Sequence, residues 1–127
     1  MKKYTEQVVR IIKRAKRLAK LKKHFYVGTE HLLLALMEEE NATAAAILKE
    51  ASLGKEQLLT LIDKLIVPGE KEEESDYLFT PKAEEVLKNA QVEADFYHKE
   101  KVGSEHLLLA IVKEADCVAS RLLYTMG

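Results

Sequence analysis

Tryptophan is absent from this chain, cysteine occurs once, proline twice and glycine five times in 127 residues. The lone Cys117 has no partner for an intrachain disulfide, and a chain of this length buries enough core to need neither a disulfide nor a structural metal. Few breakers and few aromatics, set against abundant Leu, Ala, Lys and Glu, are the composition of an all-α protein. No stretch shows the alternation of a strand, and no apolar run reaches the length of a membrane span. The start carries no apolar leader, so the expectation is a reduced, cytoplasmic setting with no membrane partner. Net charge is also missing, at −1, which points to no partner of either sign.

What the chain has is a duplication. VGTEHLLLAL at Val27–Leu36 returns as VGSEHLLLAI at Val102–Ile111, 75 positions later. The same offset matches Thr5 with Thr80, Ala15 with Ala90, Ala19 with Ala94, Glu39 with Glu114, and Ala44 with Ala119, so the repeating unit is about fifty residues or more. The division is one domain over 1–127: repeat one over 1–67, a charged linker over 68–79 with KEEES at its middle, and repeat two over 80–127.

Each repeat reads as a series of helices. Val8, Ile11, Ile12, Ala15, Leu18 and Ala19 recur at helical spacing, with Arg10, Lys13, Arg14, Arg17 and Lys20 on the opposite face. Thr5 caps this helix, and Thr80 followed by Pro81 is the stronger version of the same start. Gly28 breaks the chain before Thr29 caps a second helix, apolar nearly all round and therefore central; Gly103 and Ser104 repeat that arrangement. A third helix spans roughly 42–51 and is mirrored at 117–124. Leu58, Leu59, Leu61, Ile62, Leu65 and Ile66 make a fourth, ended by Pro68-Gly69. By the repeat register its counterpart begins just after Gly127, so the expected fold is all-α, two pseudo-symmetric repeats of about four helices, with the last helix of the second missing.

The order of Thr, helix, VG[TS]EHLLLA, helix, linker, Thr-Pro-x-Ala, helix and VG[TS]EHLLLA resembles the Clp N-terminal repeat domain of ring-forming unfoldases. It is most similar to the ClpC type, and the resemblance covers essentially the whole chain. Ala35 and Ala110 stand where ClpC-like sequences commonly have Gly, and Lys101 replaces the aromatic found at Tyr26. The resemblance implies a substrate and adaptor receptor for an attached ATP-driven motor that feeds a Clp peptidase. No G-x-x-x-x-G-K-[ST] loop occurs in the chain, so this segment is not itself the ATPase, and the resemblance implies a binding domain without enzyme activity or cofactor. The resemblance further implies recognition of phosphorylated arginine through Glu30 with Thr5 and Glu105 with Thr80.

The chemistry of that ligand suits those residue types. A guanidinium-derived edge needs a carboxylate acceptor, and the neighbouring phosphoryl group needs a helix N-terminus. Each first-helix start is thus expected to converge with the Glu of its own repeat on one pocket, twice per domain. A Glu in a first turn and a Thr at an N-cap also stabilise helices by about 0.3–1 and about 1 kcal/mol, which explains them as structure alone. Adjacent Glu30 and His31 diverge by about 100° around a helix, so they do not share a metal, and His31 and His106 read as structural; His24 and His98 complete no spacing.

Other residues have two readings. Cys117 takes the place of Ala42 and reads as a small buried site. The basic face of the first helix lacks aromatic interleaving and reads as a solvated surface, with no nucleic acid partner. Tyr4 and Phe79 are either an exposed adaptor-binding patch or hydrophobic staples onto the helices that follow. The competing functions are an adaptor-only or stand-alone module of the same family, and more remotely a helical metal-binding protein.

Overall fold

The computed structural model describes residues 3–65 and 78–127, and within them the chain is a bundle of seven helices. Repeat one supplies α1 (Glu6–Leu21), α2 (Thr29–Glu38), α3 (Thr43–Glu50) and α4 (Lys55–Leu65); repeat two supplies α5 (Pro81–Phe96), α6 (Ser104–Lys113) and α7 (Val118–Met126). The Pro68-Gly69 stop and most of the charged linker lie outside the described residues.

α2 is buried from Thr29 to Leu36 and touches all six other helices, as its unbroken apolar run requires. α1 lays Val8, Ile11, Ala15 and Ala19 on it and turns its cations outward. In the second repeat α5 packs along α6 through Ala83, Val86, Leu87, Ala90 and Ala94. The small alanines of α1 and α5 allow these close approaches, and the two repeats share one continuous core.

Two features run against the sequence expectation. A two-residue strand, β1 (Lys3–Tyr4), pairs in parallel with β2 (Lys101–Val102), and Phe79 forms the equivalent single bridge with Val27. Neither piece is long enough to show alternation. In addition, α1, α3 and α5 end in left-handed residues that are not glycine: Lys23 (φ 58°), Ser52 (φ 61°) and His98 (φ 57°). At each end the next amide reaches back to the last turn, as in His24 N to Ala19 O and Lys99 N to Ala94 O, both at 2.9 Å. This is the Schellman closure, in which a residue with a Cβ carries a conformational cost that glycine does not. Ser52→Gly, at an exposed position, is therefore expected to raise unfolding stability by about 1 kcal/mol, measured by urea denaturation.

Candidate functional site

Two clefts lie where the openings of first and second helices meet, and the partners cross between repeats. Thr5 N donates to Val102 O at 3.0 Å, which carries the start of α1 to the start of α6. Thr80 N donates to Val27 O at 2.9 Å and brings the start of α5 to α2. One cavity of about 770 Å³ is lined by Thr5, Gly103 and Glu105, and another of about 300 Å³ by Thr80, Thr29 and Glu30. The four expected residues do converge in pairs, but as Thr5 with Glu105 and Thr80 with Glu30. The expected pairing within each repeat is corrected: a repeat cannot fold its own first helix start back onto its own Glu when the preceding backbone pairs with the other repeat.

Local structure at each cleft follows from the Gly-x-Glu-His order. Gly28 and Gly103, rather than Thr29 and Ser104, are the N-caps of α2 and α6. Their φ angles of −98° and −95° suit any residue, so the glycines are needed for space: a Cβ on Gly28 would run into the Glu30 carboxylate, and one on Gly103 into that of Glu105. His31 and His106 do the capping, each Nδ1 accepting the glycine N–H at 2.9 Å. That fixes both rings as acceptors at Nδ1, so the 3.5 Å approach of Glu105 to His106 is no ion pair while the imidazole is neutral. The freed hydroxyls cross over. Thr29 Oγ1 accepts from Ala119 N at 3.0 Å and Ser104 Oγ from Ala44 N at 3.2 Å, so each second helix caps the third helix of the other repeat. Both histidines are thereby structural, and among the described residues no cluster of three or more His, Cys, Asp or Glu could hold a metal ion.

Thr5 and Thr80 are true N-caps, their hydroxyls accepting from Val8 N at 3.2 Å and Ala83 N at 3.1 Å. Each hydroxyl still has its own hydrogen to donate into the cleft, next to first-turn amides that have no carbonyl four residues back. Around the Glu30 cleft stand Tyr26, Lys82 and Asp116; around the Glu105 cleft stand Tyr97, His98, Lys99, Glu100 and Lys101. The sequence reading missed these liners, which come from helix ends and loops beside the duplicated block. Burial pushes the Glu30 carboxyl up, partly offset by its own main-chain amide, and burial with the Glu30 charge pushes the Tyr26 phenol up. His24, which completes no metal-ligand spacing, meets His31 at 2.6 Å between Nδ1 and Nε2, and burial followed by Lys22 pulls it down while Asp63 opposes.

The remaining candidates sit as follows. Tyr4 and Phe79 are half-buried and packed against the core, with Lys16 Nζ 5.4 Å above the Phe79 ring; the exposed aromatics include Phe96, Tyr97 and Tyr124 instead. Cys117 is buried and caps α7, its sulfur accepting from Ser120 N at 3.4 Å. Arg10 and Arg14 of the basic face both reach Glu39 at 3.4 Å.

An all-helical domain of two interlocked repeats is thus the class that the fold defines. The chain belongs to the Clp repeat (R) N-terminal domain family, which it matches over residues 3–126. It is 36% identical over 93% of its length to the ATP-binding subunit ClpC of the Clp protease of Staphylococcus saprophyticus. It spans only 13–14% of the length of the curated relatives it matches. Among solved structures, the Hsp104 N-terminal domain of Candida albicans superposes with a TM-score of 0.83 at 18% identity, covering 98% of this chain and 82% of that one. The ClpV N-domain in complex with a VipB peptide superposes with a TM-score of 0.78 at 24% identity, covering 98% and 76%. These two establish the shared fold.

The His31 cap makes stability depend on pH. Burial, with His24 second, holds the His31 imidazole down at about 4 against an ordinary value of 6.5. Its contribution is then complete above pH 6.5 and is lost as pH falls through about 4, because in that window the unfolded chain binds the proton and the folded chain does not. The difference between wild type and His31→Gln in urea unfolding should grow by roughly 3 kcal/mol from pH 4 to pH 7.

Proposed function

We propose that this chain serves as the substrate- and adaptor-receiving N-terminal domain of a ClpC-like ATP-dependent unfoldase, and that it recognises phosphoarginine as the mark on proteins destined for degradation by a Clp peptidase. The single observation that carries this reading is the convergence of a helix-capping threonine and a first-turn glutamate on each cleft. The carboxylate of Glu105 accepts from the ligand's N–H edge, while the Thr5 hydroxyl and the first amides of α1 donate to the phosphoryl oxygens. A carboxylate beside the phosphate repels ligands that bring phosphate without a nitrogen donor, which discriminates against phosphoserine and free phosphate.

Adaptors fit the same module. The fold is shared with a ClpV N-domain solved with a peptide, and exposed Phe96 and Tyr97 offer apolar contact area. The buried thiol of Cys117 suits a reducing cytoplasm.

Calorimetry tests the reading directly. Phosphoarginine is expected to bind, arginine and phosphoserine not, and the double change Glu30→Gln with Glu105→Gln to abolish binding without lowering the melting temperature. Retained binding in the double variant, or equal binding of phosphoserine, would refute it. Gly103→Ala is expected to weaken binding about tenfold by driving the Glu105 carboxylate aside, at a stability cost below about 1 kcal/mol because the backbone angle is permitted.

A further inference from the structure

The two clefts are related by the repeat but do not offer the same space, charge or carboxylate. Glu30 is buried, whereas Glu105 is half-buried and its side chain keeps 41% of its surface. The cavity at Glu105 is the larger, about 770 Å³ against about 300 Å³, the latter at the lower bound for sites that enclose a small molecule.

The cause lies in three register-matched substitutions. Buried His24 stacks with Tyr26 at 6.3 Å and hydrogen-bonds His31, and Tyr26 lines the first cleft. In the second repeat the matching residues are Lys99 and Lys101, which line an open cavity instead of closing it. Asp116, a second carboxylate, lines the Glu30 cleft, and its register counterpart in the first repeat is the neutral Asn41. Lys82, the cation of that cleft, is drawn away by Glu114 at 3.3 Å and Glu85 at 3.5 Å. A dianionic phosphoryl group thus meets two carboxylates, Glu30 and Asp116, with one lysine at the first cleft, and two carboxylates, Glu105 and Glu100, with Lys99, Lys101 and His98 at the second.

We infer that the duplicated site has divided its roles: the Glu105–Thr5 cleft is the single ligand site, and the Glu30–Thr80 cleft is a closed structural copy. This rests on the phosphoarginine reading above. Lys99 and Lys101 are then specificity residues that the first repeat lacks, and the upward displacement of the Glu30 carboxyl by burial accords with a group that is not held ready as an anion.

Titration of the 127-residue chain with phosphoarginine, followed by calorimetry and by backbone amide NMR shifts, decides the matter. One equivalent is expected. Affinity should be at least tenfold weaker in Glu105→Gln, with shifts centred on Thr5, Gly103 and Ser104 and none at Thr29 or Thr80. Lys101→Tyr, which restores the residue type of the first repeat, should also weaken binding while leaving the melting temperature in place. Two equivalents of similar affinity, or loss on Glu30→Gln with Glu105→Gln intact, would overturn the division of roles and leave the phosphoarginine reading standing. Absence of both heat and shifts would overturn that reading, and the division with it.

Discussion

Two backbone hydrogen bonds, Thr5 N to Val102 O and Thr80 N to Val27 O, decide how the two repeats combine. Each fixes the start of a first helix against the loop that opens the other repeat's second helix. Once these are made, α2 and α6 are set at the centre, and the third helices fall against the opposite repeat, where Thr29 and Ser104 satisfy their first-turn amides. The geometry of the candidate clefts comes from the same bonds, since a threonine and a glutamate that share no repeat are brought to one cleft.

The inward side of this arrangement was legible in the sequence and the crossing was not. Helical spacing in α1, the unbroken apolar run of α2, and the caps at Thr5 and Thr80 are local signals, and all are seen in place. Which Thr meets which Glu depends on pairing between segments about 50–100 residues apart, and a repeat alignment is silent on whether equivalent residues meet within a copy or across copies. Local chemistry also misled at Thr29 and Ser104, whose residue types favour N-caps. The glycines before them took that role because the Glu carboxylates occupy the space of a Cβ, leaving His31 and His106 to complete the caps. Lys23, Ser52 and His98 gave no signal of their left-handed backbone, since a helix end without glycine carries none.

Duplication alone gives two equal sites, and the difference between them arises outside the duplicated ten residues. The block holds Glu and His identical in both copies, yet Tyr26, Lys82 and Asp116 line the cleft of one carboxylate and Lys99, Glu100 and Lys101 that of the other. Burial at Glu30 favours packing, and openness at Glu105 favours contact with a ligand. Residues identified by motif therefore mark where the candidate clefts lie, and their neighbours set the space and charge around them.

The exchange of hydroxyl caps obeys a strict reciprocity: Thr29 serves Ala119, and Ser104, its equivalent, serves Ala44, the equivalent of Ala119. Contacts in which i meets j and j meets i are those of a two-fold symmetric dimer interface. The molecule is thus built as a homodimer carried on one polypeptide. Such tethering keeps the symmetry of the scaffold while freeing each half to mutate on its own, which no true homodimer can do.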